Sequence, residues 1–287
     1  MLFRSAEKAD IVIKASGVGV FDEYLEKAVL DLKSGERLVI FWDVDAPATL
    51  NRVAMNENDL FRELIPRYDL ILTYGGGDPV INGYREWGAR MCVPVYNALD
   101  PSTHFPANHD ERFNGVLAFL GNRMPDREER VWEFFFNPAG DMAESRFILG
   151  GNGWGENIPS LDNIRYLGHV YTRDHNAFNS TPMAVLNINR ASMADYGWSP
   201  PTRIFEAAGS GACIITDAWE GIELFLQPGK ECLVARNGTE VSDHLKALTP
   251  ERASAIGQAA LRRISAEHTY AHRGRQLEVL LRDLRGE

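Results

Sequence analysis

PPTRIFEAAGSGACIITDAWEGIELFLQPGKE, Pro200–Glu231, packs a loop, a helix, a strand and a second loop into one short stretch. Two prolines lead into a helix that starts near Thr202. Gly209-Ser210-Gly211 ends it and lets the chain turn tightly into the strand Ala212–Thr216. A second loop, Asp217–Glu223, opens another helix. Helix and strand in this alternation predict βαβ units and a parallel sheet. Both helix N-termini fall at the same edge of that sheet. Their unpaired backbone N–H groups are the usual physical basis for holding an anion such as a diphosphate. Glu206 lies one turn into the first helix. A carboxylate there accepts bonds from two vicinal hydroxyls, as ribose presents, or it complements the helix dipole. Spacing alone leaves both readings open.

The same alternation extends upstream. Asp10–Ala15, Arg37–Trp42, Asp69–Tyr74 and Met91–Tyr96 read as short buried strands, with helices over Val20–Ser34, Asn58–Tyr68 and Pro79–Gly88. Asp100–Arg112 is polar, carries two prolines and reads as a linker. The pattern then restarts with strands at Val116–Leu120, Arg146–Leu149, Ile164–Leu167, Ala184–Ile188 and Cys232–Ala235. Helices are expected over Asp126–Phe136, around Asp174–Ser180 and along the arginine-rich tail Pro250–Leu284. The expected organisation is α/β in two Rossmann-like domains, 1–105 and 106–287. Ligands in such sheets sit at the carboxyl ends of the strands, and the natural site lies in a cleft between two such domains.

Composition narrows the function classes. The chain has 287 residues, 45% hydrophobic, with a formal net charge of −10. That apolar content is too high for a disordered chain. The longest apolar runs fall far short of the ~20 residues a bilayer span needs. The opening MLFRSAEKAD has no apolar core of a signal peptide. Cys92, Cys213 and Cys232 are far apart and odd in number, which argues for a reducing, cytoplasmic setting and against a disulfide framework or zinc site. No basic tract is present to neutralise nucleic-acid phosphates.

Several segments carry a family likeness. TRIFEAAGSGACIITD with GIELFLQPGKECLVAR resembles the C-terminal half of GT-B glycosyltransferases, and most of all the group related to the spore maturation protein CgeB. The ending HTYAHRGRQLEVLL, His268–Leu281, is similar to that group's ending. FLGNRMPDREERV resembles the strand, loop and helix that open a GT-B C-terminal domain, and VPVYNALDPSTHFPA the segment that leaves the N-terminal one. The likeness is specific over about residues 200–281. It implies two facing Rossmann-like domains with a nucleoside-diphosphate sugar in the cleft as co-substrate, a glycan or protein acceptor, and no essential metal. It implies that Glu206 binds the donor ribose and that Thr202 and Arg203 lie near the diphosphate. Gly121 and Arg123 match the glycine–basic pair of the first C-terminal loop, where the arginine offsets charge on the leaving diphosphate. Gly221, Ile222 and Glu223 match a second loop facing the donor sugar or its phosphates. Two departures stand out. Many retaining members carry a second glutamate eight residues before the ribose-binding one, where this chain has Trp198. The N-terminal domain also looks shortened by its first βα unit.

The remaining candidates come from the residues. Asp43 and Asp45 end a strand in FWDVDAP, as a general base on an acceptor hydroxyl or as turn and cap residues before Pro47. His169 follows the strand end Leu167-Gly168, and His104 lies in the linker. Gly75-Gly76-Gly77 follows a strand and precedes a helix but lacks the spacing and lysine of a phosphate loop. The expected function is transfer of a sugar from a nucleoside diphosphate to an acceptor. A non-catalytic module of the same architecture is the alternative, and an epimerase acting on a UDP-sugar is a third.

Overall fold

Four β-branched runs in the first hundred residues become four parallel strands: Ile11–Ala15 (β1), Leu38–Asp43 (β2), Leu70–Thr73 (β3) and Cys92–Pro94 (β4). The computed structural model describes residues 6–17, 19–156 and 158–286. Residues 1–5, half of the opening segment read above as lacking a leader, lie outside them. The chain forms two compact units. The first comprises Met1–Tyr96, Tyr196–Ser199 and Gly274–Glu287.

In this unit the strands lie in sequence order, β1-β2-β3-β4. A sheet wound in one direction by right-handed crossovers has its connecting helices on one face. That face buries Val39, Phe41 and Ile71 against Leu50, Val53, Phe61, Val80 and Tyr84. The opposite face presents Ile40, Leu70, Leu72 and Val95, and these pack against Leu277, Leu280, Leu281 and Leu284. The four leucines form an i, i+3, i+4, i+7 stripe on the helix Tyr270–Arg285. The sequence reading ran the second domain to residue 287. The structure clusters Gly274–Glu287 with the first unit instead, because the one-directional sheet has an apolar face that its own crossovers leave open. The helix Ala46–Met55 was not expected from the sequence; proline near its first position fits a helix start.

The second unit comprises Asn97–Asp195 and Pro200–Arg273. Its six parallel strands are Leu117–Leu120 (β5), Phe147–Gly150 (β6), Ile164–Gly168 (β7), Ala184–Asn187 (β8), Ile214–Asp217 (β9) and Leu233–Ala235 (β10). Their order is β10-β9-β8-β5-β6-β7. The chain winds outward from β5 in one direction through β6 and β7, then returns to β8 and winds the other way. Leu117, Phe119, Phe147, Leu149, Leu186 and Ile215 bury one face of the sheet beneath Phe134, Phe135, Val241 and Leu245. The polar stretch after residue 99 belongs to this unit and is not a free linker. Leu99 pairs with Thr269. Asn176 Nδ2 donates to the Thr103 carbonyl at 3.0 Å, and the Ala107 amide donates to Ser180 Oγ at 3.1 Å. Among the described residues no helix is long and apolar enough to cross a membrane.

Candidate functional site

The reversal of strand order between β5 and β8 leaves a gap at the carboxyl edge of the second sheet, because the loops after these strands leave in opposite directions. A cavity of about 260 Å³ lies there, lined by Phe119 to Asn122, Met124, Arg127, Asn187, Ile188 and Pro201 to Arg203. The helix Thr202–Gly209 begins at its wall, with Pro201 at the N-cap and no side-chain cap. The positive end of the helix dipole is therefore at the cavity.

Two guanidinium groups share this wall. Arg127 Nη2 donates to the Asn122 carbonyl at 2.6 Å, while its Nε is buried without a hydrogen-bond partner. Arg203 Nη1 is likewise buried without a partner. Among the described residues neither forms a salt bridge. Burial holds the Arg203 pKa below the ordinary arginine range; Glu206 offsets this and Arg127 adds to it. Burial lowers Arg127 as well, with Asp126 opposing and Arg190 reinforcing. Two like charges that feel each other, part-desolvated and facing a helix N-terminus, make a site that an anion stabilises. Glu206 lies one turn further in, half-buried, near both Arg203 and His175. Burial lowers the His175 pKa, its bond to the Val170 carbonyl opposes this, and Arg203 pushes the same way as burial.

Arg123, the basic residue expected in the first loop, has a different place. It is ion-paired with Glu128, donates from Nη1 to the Glu156 carbonyl at 2.7 Å, and does not line the cavity. Its loop is folded onto the next one. The Arg123 amide donates to the Asn152 carbonyl at 2.9 Å, and the Asn152 amide donates to Asn122 Oδ1 at 2.9 Å. The fit is close: a Cβ on Gly151, whose φ is +117°, would lie 2.2 Å from the Gly121 carbonyl oxygen. His169 is exposed beside this pair of loops, its ring edge-on to Tyr171 at a centroid distance of 4.7 Å. Gly221 precedes a short 3-10 turn, Ile222–Leu224, in the loop after β9. Ile222 is buried in that turn and Glu223 is exposed.

The glycosyl transferase-like family matches residues 127–279. The chain belongs to that family. Among solved structures it is similar to HepE of Anabaena in complex with UDP and glucose, with 12% identity, TM-score 0.69, and 98% of this chain covering 80% of that one. A sucrose-phosphate synthase of Thermosynechococcus elongatus is 10% identical, with TM-score 0.70 and coverage of 99% and 75%. A glycosyltransferase of Rickettsia africae is 10% identical, with TM-score 0.56 and coverage of 96% and 97%. At these identities the likeness establishes the fold, which is GT-B. None of the curated proteins matches the chain.

In this glycosyl transferase-like chain the two aspartates read as candidate bases part company. Asp43, at the end of β2, is fully buried. It accepts from Ser16 Oγ at 3.0 Å, from the Asp45 amide at 3.1 Å and from the Tyr84 hydroxyl. It ties the ends of β1 and β2 to the helix Gly77–Glu86. Asp45 is exposed at the N-cap of the helix Ala46–Met55, and its side chain makes no cap bond. Of the expected donor-site residues, Gly121, Thr202 and Arg203 come together at the cavity. Arg127 and Asn187 complete its lining and were missed. In GNRMPDREER the signal was present: Glu128 follows Arg123 closely enough to claim it, which leaves Arg127 as the unclaimed charge. Among the described residues no group of three His, Cys, Asp or Glu side chains is placed to hold a metal.

Proposed function

We propose that the chain transfers a sugar from a nucleoside-diphosphate sugar to an acceptor hydroxyl, and that it falls within the CgeB-related group its C-terminal segment resembles. The observation that carries this reading is the pair Arg127 and Arg203, without salt-bridge partners among the described residues and part-buried at the helix N-terminus that opens onto the switch-point cavity. Departure of a nucleoside diphosphate builds negative charge on the oxygen that leaves the sugar. Fixed cations and backbone N–H groups at that point stabilise the developing charge with little reorganisation. Arg127, Arg203 and the Thr202 end of the helix are in this reading the diphosphate site, and they do there what a metal ion does elsewhere. The HepE complexes with UDP and with UDP-glucose support a sugar nucleotide as the donor class. Glu206, one turn in, fixes the ribose hydroxyls. Gly121 and the Gly221–Glu223 loop complete the donor side. Asp45, exposed and uncapped, is the acceptor-side base, with His169 the other candidate; a positioned base contributes roughly 10²–10⁴-fold. The three cysteines are free, which fits a cytoplasmic enzyme.

Thermal-shift titration with UDP, GDP, dTDP, CDP and ADP tests the reading. One nucleotide is expected to stabilise the chain, by about 2.7 kcal/mol at one hundred times its dissociation constant. Arg127→Met, Arg203→Met and Glu206→Ala are each expected to weaken binding by roughly 1–3 kcal/mol, the cost of stranding the partner's polar groups. Arg123→Met is expected to leave it within about threefold, since that side chain is held by Glu128 rather than the cavity. Asp45→Asn is expected to keep the shift and lose turnover. No shift with any nucleotide sinks the proposal; a normal shift with neither transfer nor donor hydrolysis leaves a non-catalytic module.

A further inference from the structure

The run HTYAHR, His268–Arg273, stands out in the sequence, and the donor site leaves it without a task. All of it lies in the second unit. Its mount is rigid. The helix Pro250–Glu267 buries Ala253, Ile256, Gly257, Ala260 and Ile264. It lies so close to the end of the helix Thr202–Gly209 that a Cβ on Gly257 would come within 2.1 Å of the Gly211 carbonyl oxygen. His268 is the C-cap of this mount, and its amide donates to the Ile264 carbonyl at 2.8 Å. Its own carbonyl accepts from the Leu99 amide at 2.8 Å, and the Tyr270 amide donates to the Leu99 carbonyl at 3.0 Å. The backbone at His268 is thus held on both sides, and the ring starts from a fixed point.

That ring is buried against two aromatic side chains. Phe205, beside Glu206 on the helix Thr202–Gly209, lies at a centroid distance of 6.3 Å. Phe225, which follows the turn Ile222–Leu224, lies at 5.4 Å. The two phenylalanines are themselves edge-on at 5.7 Å. Rings at such distances attract beyond the area they bury. Arg273 Nη2 is 2.9 Å from His268 Nδ1. A guanidinium can only donate, so Nδ1 accepts and the ring proton sits on Nε2. Nε2 is buried without a well-aligned partner among the described residues. The Leu224 carbonyl lies close enough to favour a proton there, against burial and the charges of Arg273 and Arg263, which keep the ring neutral. The turn above has little to hold it from outside, since Glu223 and Leu224 are exposed and Gly221 enters it with φ +92°.

We propose that His268 is a positioning residue for the loop Gly221–Leu224: its ring supports Phe225 and its Nε2–H lies toward the Leu224 carbonyl, so one side chain fixes this loop relative to the helix that carries Thr202, Arg203 and Glu206. This rests on the reading of the cavity as a site for a nucleoside-diphosphate sugar, in which the loop faces the sugar or its phosphates. Arg273 acts one step behind, by holding the ring in the tautomer that points its proton at the loop.

Hydrogen exchange by mass spectrometry on the full chain, without nucleotide, tests the support independently of the ligand. His268→Phe keeps a ring of similar size and removes both nitrogens. His268→Gln keeps a donor at about the reach of Nε2. Amides within residues 219–226 are expected to exchange about tenfold faster in His268→Phe and within about twofold of wild type in His268→Gln, with residues 253–264 unchanged in both. Affinity is then measured for the monophosphate and the diphosphoglucose of whichever nucleoside the wild type binds in the panel of UDP, GDP, dTDP, CDP and ADP. In His268→Phe the dissociation constant of the diphosphoglucose is expected to rise about tenfold and that of the monophosphate to stay within about twofold, because the smaller ligand ends before the loop. His268→Gln is expected to restore most of the loss. Unchanged exchange of the loop in His268→Phe overturns the proposal. So does faster exchange with unaltered affinity, an equal loss for the monophosphate, or a loss that glutamine does not restore. Exchange raised throughout the second unit overturns it too, and marks His268 as a packing residue alone. A wild type that binds none of the nucleotides overturns the reading of the cavity, and the exchange data then decide alone whether His268 holds the loop.

Discussion

Arg123 and Arg127 sit four residues apart and illustrate what a sequence shows of a site. Both follow a strand end, and both are basic. Which one faces the cavity depends on who claims the other, and that is decided by the fold: Arg127 lines it, while Arg123 is ion-paired with Glu128 and bound to the Glu156 carbonyl. The helix Thr202–Gly209 was legible because its signals are local, two prolines, Thr202 and a glycine stop. The buried role of Asp43 was not, since Ser16 and Tyr84 reach it from distant parts of the chain. Glu26 was equally invisible. It is 5% exposed on the inner side of the helix Asp22–Ala28, and burial, only partly offset by Arg52 and Lys14, raises its pKa to about 7. Its folded pKa exceeds the unfolded value, so the folded state binds the extra proton between about pH 4.5 and 7. This group's contribution is fully present below that window and is lost as pH rises through it, by on the order of 3 kcal/mol. His268 works the other way: burial, with Arg273 and Arg263, lowers its pKa to about 4, so its contribution is lost as pH falls from about 6.5. The informative quantity is the difference between wild type and Glu26→Gln in urea unfolding at pH 5 and pH 8. The variant is expected to lose less stability than the wild type between the two. Parallel pH curves would show that Glu26 carries no shifted proton.

At the scale of elements, the strands were readable and the two ten-residue helices Ala46–Met55 and Gly238–Ala247 were not, for identifiable reasons. In DAPATLNRVAM the proline drew the reading toward a turn, yet a proline in the first turn costs a helix nothing. In ARNGTEVSDHLKA the signal is an N-cap asparagine with glutamate three residues on: Asn237 Oδ1 accepts from the Glu240 amide at 2.9 Å, while Glu240 accepts from the Arg236 amide at 2.9 Å. Elements are also joined by charges that periodicity does not reveal. Asp217, fully buried at the end of β9, is paired with Arg130 and accepts from the Asn189 amide at 3.0 Å. Burial raises its pKa against the pull of Arg130. The loop that follows Asp217 is the expected second donor loop. Arg130→Met keeps much of the side-chain volume and strands the carboxylate, which is expected to cost about 2–4 kcal/mol at pH 7. Because the stranded group takes up a proton, the loss is expected to shrink as pH falls toward 4. Chemical denaturation across that range checks it; a pH-independent loss would show that the cost is packing against Phe134 rather than charge.

At the scale of the whole chain, the alternation of strands and helices was enough to read two α/β units, and composition was enough to exclude a membrane span of the helical kind among the described residues. What it could not assign was the tail. A stripe at positions 277, 280, 281 and 284 says that a helix has an apolar face, and nothing in the stripe says which sheet receives it. The answer lies in topology. The first sheet winds one way, so one of its faces has no crossover helix, and Ile40, Leu70, Leu72 and Val95 on that face need a cover. If the tail is that cover, its loss should be felt in the first unit. Leu277→Ala combined with Leu281→Ala is expected to destabilise by about 2–4 kcal/mol, at the lower end of what two core truncations cost because both leucines are only partly buried. The effect should appear as faster hydrogen exchange in β2 and β3, with β5 and β8 unchanged, since the leucines touch the former pair's face. Uniformly raised exchange in both sheets would mean that the tail stabilises the chain in some way other than by covering the first one.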